Sequence, residues 1–379
     1  MPTAWPFTPP VVPMEAEIAE QLPTPPGWAY EPKWDGFRVT AWSVPEDGVV
    51  AAPSDAGDPG PRLDSRNAKP LLRYFPELAP ALLQLPPGTV TDGEVIVPLA
   101  GKLDFDALLD RIHPAKSRVA RLATETPAQL ALFDLLALDG EDLRPLPFSE
   151  RRARLERLAE HLHAGAEGSS WLLTPSTTDV ETARRWFDEF EPAGFDGIVA
   201  KALARPYAEG RREMLKIKHR RTVDCVVGGF RLHVSGDRVG SLLLGLYNSA
   251  GALHFIGHCA SFGGREAREL LVRLQPLVVG AGETDTGGFG TDARFPGAES
   301  RWSGKGRGGG DGGFIAVRPE LVVEISYDQL TGDRFRHATR LERWRPDKLP
   351  GACTMDQLER PKGAALAEAL RTAAGEQQT

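Results

Sequence analysis

The sequence predicts an α+β domain over residues 1–219, a small β-barrel over 220–351 and a partly helical tail over 352–379. Three observations carry this prediction. Up to residue 219, short β-branched runs alternate with segments of helical periodicity, the pattern of mixed α and β layers. After "KHRRTVD" the texture changes to successive short strands with turn residues between them and one inserted helix, which suits a small closed barrel of the OB type. Finally, 379 residues suffice for two domains, each burying its own core.

The elements follow in order. "TVTDGEVIVPL" (89–99) is β-branched and strand-like. "FSERRARLERLAEHL" places Leu155, Leu158, Ala159 and Leu162 at helical spacing, with Ser149 as the expected N-cap. "DVETARRWFDEF" (179–190) is a second helix, opened by Thr178 and Asp179. In the second domain "CVVGGFRLHV", "VGSLLLGLYN" and "LHFIGHCA" are strands, punctuated by Ser235-Gly236 and Ser249-Ala250-Gly251. The helix is "GREARELLVRLQPLV" (264–278) and the last clear strand is "ELVVEISYD" (320–328). Residues 287–313 are long and Gly-rich, so a mobile loop is expected there. The tail from 362 reads as a fraying helix.

Composition excludes several classes. "MPTAWPFTPPVVPM" lacks the basic region and apolar run of a secretory signal, and no stretch reaches the roughly 18 apolar residues of a membrane span. Cys225, Cys259 and Cys353 lie far apart without a C-x-x-C pair, which argues against a disulfide framework or zinc ribbon. A cytoplasmic, soluble protein is expected. The net charge of −7 conceals four basic runs, at 111–121, 218–221, 301–307 and 333–345, which suggest a segregated basic surface.

Lysine is used sparingly: 10 against 35 arginines, and five of the 10 lie in "KWDG" (Lys33), "GFDGIVAK" (Lys201), "LKIKH" (Lys216, Lys218) and "RPDK" (Lys348). Arginine stays protonated in proteins, whereas lysine becomes a nucleophile once its pKa falls. Burial and neighbouring cations would lower the pKa of Lys33, with Lys201, Lys216 and Lys218 as the candidate neighbours and as phosphate holders. Asp35-Gly36 would form a tight turn presenting Lys33.

The ordered set "KWDG" (33–36), "SRN" (65–67), "DGE" (92–94), "FD" (133–134), "DGIVAK" (196–201), "KIK" (216–218) and "RPDK" (345–348) resembles the covalent nucleotidyltransferase superfamily. Within it the chain looks like the ATP-dependent DNA ligases, closest to the small bacterial C-type enzymes, over about residues 10–361. The resemblance implies a nucleotidyltransferase (adenylation) domain followed by an OB-fold domain, ATP and Mg²⁺ or Mn²⁺ as cofactors, and nicked duplex DNA as partner. It also implies roles. Lys33 would be the nucleophile, Glu31 would read the adenine amino group, Phe133 would stack on the base, and Arg38 and Glu94 would hold the ribose. Lys201, Lys216 and Lys218 would grip the α-phosphate with Arg212, which Arg211 could replace. Arg66 would meet the 5′-phosphate of the DNA. Arg345, Asp347 and Lys348 would orient pyrophosphate, with Arg336 beside them as a further DNA contact. Glu94 and Asp196 would contact the metal, although the family usually has Glu where this chain has Asp196.

The implied rivals are an RNA ligase, a capping-type guanylyltransferase and a catalytically silent OB-fold module that binds single strands. NAD⁺ as AMP donor is disfavoured, because NAD⁺-using ligases are much longer and carry a cysteine zinc site. A monomer is expected, with other DNA-repair proteins as candidate partners and "KHRRTVD" as the hinge.

Overall fold

The structure is a computed structural model that describes residues 5–44, 61–279, 289, 314–337, 339–358 and 365–376. The loop expected over 287–313 lies outside the described residues except for Phe289. The chain divides into two compact units, one of Met1–Lys218 with Pro361–Thr379 and one of His219–Arg360.

In chain order the strands of the first unit are β1 (Glu15–Ile18), β2 (Trp28–Pro32), β3 (Phe37–Trp42), β4 (Arg62–Ser65), β5 (Val90–Ile96), β6 (Gln129–Leu138), β7 (Trp171–Leu173), β8 (Gly197–Ala202) and β9 (Arg212–Lys218). One sheet has the order β1-β9-β8-β2, the other β7-β6-β5-β3-β4 with the short Glu141–Asp142 strand added to β6. Only the β1/β9 and β7/β6 pairs in these sheets are parallel. β6, "QLALFDLLAL", is buried along nearly its whole length, which explains its continuous apolar run. Tyr30, Ile198 and Ala200 of the first sheet share a core with Ile96, Ala131 and Phe133 of the second.

Helices add to this packing. α1 (Phe148–His161) sets Leu155, Leu158 and Leu162 in one cluster with Leu130 and Leu132 of β6. Its N-cap is Pro147, not Ser149. The first helical N–H groups need no side-chain cap, because Phe148 N donates to Arg205 O at 2.9 Å and Ser149 N to Leu203 O at 3.0 Å. α2 (Val180–Glu189) begins as expected, with Asp179 accepting from Thr182 N at 2.8 Å.

The second unit holds β10 (Arg221–Leu232), β11 (Val239–Tyr247), β12 (Leu253–Cys259), α3 (Gly264–Leu274), β13 (Val322–Tyr327) and β14 (Arg340–Trp344). The strand order is β12-β11-β10-β13-β14, all antiparallel. The closed barrel expected from the sequence is not formed by a ladder: β12 and the start of β14 meet at a single bridge, Cys259 with Thr339. A small hairpin (Leu330–Thr331 and Arg334–Phe335) packs there instead, its Phe335 ring so near that a Cβ on Gly257 would lie 2.7 Å from it.

The tail does not behave as one frayed piece. Cys353 belongs to the core of the second unit. α4 (Leu366–Glu376) buries Leu366, Ala369 and Ala373 in the same cluster as Trp186 of α2, and Leu366 N donates to Gly101 O. No helix of the described residues is long and apolar enough to cross a membrane.

Candidate active site

Lys33 follows the last residue of β2, and its main chain is bonded to the start of β8: Lys33 N donates to Gly197 O at 2.8 Å and Asp196 N to Lys33 O at 2.9 Å. That pairing fixes the side chains too. Lys33 Nζ lies 2.9 Å from Asp196 Oδ2, and Lys218 Nζ lies 3.1 Å from the same oxygen. Gly197 makes this possible, since its φ is +132° and a Cβ there would lie 2.0 Å from Ile217 O of β9. Gly36 acts differently from the turn glycine expected. Its φ is not positive, but a Cβ would lie 2.4 Å from Val95 O, so only glycine lets the chain enter β3 against β5.

The electrostatics of Lys33 are opposite to the expectation. Burial alone would lower its pKa, but the carboxylates of Asp196, Glu94 and Asp35 outweigh burial and hold it above the ordinary lysine value. Burial would raise the Asp196 carboxyl, yet Lys33 and Lys218 hold it below the usual range. Glu94, on β5, is pushed up to about 7 by burial, and its Oε2 is buried without a hydrogen-bond partner.

Glu31 and Lys201 form a second buried pair, with Lys201 Nζ 2.7 Å from Glu31 Oε2. Glu31 is opposite Val199 and Lys201 opposite Ala29 on β2 and β8, so the two side chains are diagonal neighbours on one face. Lys201 also donates to Phe133 O at 2.8 Å and lies 4.6 Å from the Phe133 ring centroid. Burial lowers the Lys201 pKa and raises that of Glu31. Lys201, expected beside Lys216 and Lys218, is thus bonded at Glu31 and Phe133.

Arg38 grips Asp92 with both Nε and Nη2 at 2.7 Å, donates to Met14 O, and lies 4.6 Å from the Phe133 centroid. Tyr207 Oη donates to the same Asp92 at 2.6 Å. Phe133 is itself 7% exposed, so it is a core residue as well as a site residue. On β9, Lys216 and Lys218 share a face by strand alternation, and Lys216 makes no ion pair among the described residues. Burial and then the charges of Lys218, Lys33, Arg66 and Arg212 depress the Lys216 pKa, which marks these five cations as one field. Arg66 and Arg212 are 61% and 70% exposed and both lean on Glu15, at 2.6 and 3.5 Å.

In the second unit Arg345 and Lys348 converge on Asp224, and Arg345 also holds Asp347 at 2.9 Å. Arg336 is tied to Gln329 and Thr331 of the neighbouring hairpin.

A divalent ion fits the first unit in one way. Among the described residues no group of three or more His, Cys, Asp or Glu is arranged to hold a metal. Magnesium does not need one, since it is commonly bound by one or two carboxylates, waters and the substrate's phosphates. Glu94, with its orphaned oxygen, and Asp196 both bear on Lys33 and are the carboxylates that such an ion would use.

Sequence reasoning missed Asp92, Arg152, Tyr207 and Asp224. Arg152 of α1 is 6% exposed and reaches Glu31 Oε1 at 3.4 Å. The doubled arginine Arg151-Arg152, beside the apolar positions of the helix, was the available signal.

Comparison with known proteins adds a separate line. Residues 13–218 match the family model described as ATP dependent DNA ligase domain, and 235–348 the one described as ATP dependent DNA ligase C terminal region. The chain is 46% identical over 361 residues to DNA ligase C2 of Mycolicibacterium smegmatis, covering 94% of this chain and 96% of that one. It is 46% identical over 372 residues to DNA ligase C of Mycobacterium tuberculosis, covering 96% and 98%. A solved structure from a study of Lig E DNA ligases shares the fold with a TM-score of 0.50 at 15% identity, covering 87% of this chain and 99% of that one.

Proposed function

This chain belongs to the ATP-dependent DNA ligase family, and from that premise we propose that Lys33 carries AMP from ATP to DNA. The enzyme is a DNA ligase, and its reaction uses ATP and a divalent metal ion such as Mg²⁺. The observation that best supports Lys33 is its setting: Nζ lies 2.9 Å from Asp196 with Lys218 on the same carboxylate, and its side chain keeps 21% exposure.

In the first step Nζ, already neutral, bonds to the α-phosphorus as the bond to pyrophosphate breaks, and the nitrogen gives up a further proton to leave a P–NH linkage. Lys216 and Lys218 balance charge on the α-phosphate, with Arg212 assisting. Lys201 buttresses Glu31, which faces the adenine amino group, and Phe133 bounds the base. Arg38 and Glu94 meet the ribose. Glu94 and Asp196 would hold the divalent ion, which when bound adds positive charge beside the phosphates. Arg345, Asp347 and Lys348 attend the departing pyrophosphate.

In the second step a 5′-phosphate oxygen at a nick, met by Arg66, attacks the same phosphorus. The P–N bond breaks and Lys33 regains its proton. The 3′-hydroxyl then attacks the 5′-phosphorus and AMP leaves. Arg336 contacts DNA from the second unit. The enzyme acts as a monomer on nicked duplex DNA, with other DNA-repair proteins as candidate partners.

Incubation with ATP or GTP labelled at the α-phosphate tests this. Label from ATP alone, lost in Lys33→Ala, is expected. Label from GTP would favour a capping-type enzyme, and label retained by Lys33→Ala would remove Lys33 from its role.

A further inference from the structure

Asp224 is the middle residue of "VDC" at the junction read as a hinge, and nothing in its sequence context marks it as functional. In the structure it lies on β10, opposite Glu324 of β13, and is 8% exposed. Its carboxylate takes Arg345 Nη1 on both oxygens, at 2.8 and 2.9 Å, and Lys348 Nζ on Oδ2 at 2.7 Å. Its main chain is fixed as well: Asp224 N donates to Gln357 Oε1 at 3.3 Å, and Gln357 Nε2 donates to Asp224 O at 3.2 Å.

The two cations on this carboxylate are not equivalent. Arg345 has all three nitrogens engaged, Nη1 on Asp224 and Nε and Nη2 on Asp347 at 3.0 and 2.9 Å. Its main-chain N is bonded to Val322 O at 2.9 Å. Lys348 spends one of its three donors on Asp224 and keeps two for a ligand. Two cations and two carboxylates, Asp224 and Asp347, thus form one ion network at this turn.

We propose that Asp224 is a positioning residue for the leaving-group motif: it sets Lys348, whose remaining donors meet pyrophosphate, and holds Arg345 on the same carboxylate. This rests on the proposal that the "RPDK" residues attend pyrophosphate departure. An ammonium on a flexible four-carbon stem needs such a fixed partner, because stabilisation of developing charge depends on preorganised geometry.

The test compares Asp224→Asn, Asp224→Glu and Lys348→Ala in the full chain, in two assays. One follows Lys33 adenylylation by ATP; the other follows sealing of a nick that already carries 5′-linked AMP. Asp224→Asn is expected to slow adenylylation at saturating ATP by at least about tenfold, with the KM for ATP changed far less. It should seal pre-adenylylated DNA within about twofold of the parent rate, and Asp224→Glu should recover part of the loss. Lys348→Ala slow in adenylylation with Asp224→Asn normal overturns this inference alone. Lys348→Ala normal in adenylylation overturns the leaving-group proposal and this inference with it. Equal loss in both assays for Asp224→Asn means a structural anchor and also overturns it.

Discussion

A nucleophilic lysine must lose a proton, and Lys33 is held the other way. Asp196 sits 2.9 Å from its nitrogen, and with Glu94 and Asp35 it keeps the amine above the ordinary lysine pKa despite burial. In the proposed reaction this amine must give up its proton before it attacks. Because its pKa starts high, adenylylation should accelerate with rising pH across the neutral range, as the neutral fraction grows about tenfold per pH unit. A flat profile of single-turnover adduct formation would contradict this. Lys33→Arg should form no adduct at any of these pH values, since the guanidinium keeps its proton.

At the scale of elements, the site depends on where strands are pinned. Asp134, next to Phe133 on β6, is buried against Arg151 of α1, with Nε–Oδ1 at 2.8 Å and Nη2–Oδ2 at 2.9 Å. Arg151 also donates to Leu146 O at 2.6 Å. Removing one partner of such a pair leaves an uncompensated buried charge, so Arg151→Leu should destabilise the protein by about 3–5 kcal/mol. Urea unfolding measures this, and a loss below about 1 kcal/mol would show that the pair is not truly desolvated. Strand and helix positions were legible because periodicity and turn residues are local signals: Gly236 and Gly251 do take positive φ at the turns read for them. What was not legible is non-local. The Pro147 cap relies on carbonyls of Leu203 and Arg205, and the Glu31–Lys201 pair on the register of β2 with β8. The open seam of the second sheet likewise depends on where Phe335 packs.

For the whole molecule, net charge and DNA binding must be reconciled. The chain carries −7, and part of its basic sequence is structural: Arg111, in the first basic run, is fully buried on Glu77 at 2.6 Å. The run at 301–307 lies outside the described residues. Arg66 and Arg212, by contrast, are well exposed, and with Lys216 they form a positive field around Lys33 and Lys218. DNA affinity should fall steeply with salt, about tenfold or more from low to moderate concentration, as phosphate contacts release counterions. Fluorescence anisotropy on a nicked duplex reads this directly; salt-independent binding would remove the basic surface from the account.

The claim that holds the rest together is that AMP passes through Lys33. The protein is charged with α-labelled ATP, freed of nucleotide and mapped by proteolysis, then chased with nicked duplex DNA and divalent metal but no ATP. The account predicts label on the Lys33 peptide alone, and sealing of no more than one nick per labelled chain as the label leaves the protein as AMP. Label on another residue, or sealing that stays absent until ATP is supplied again, would contradict it.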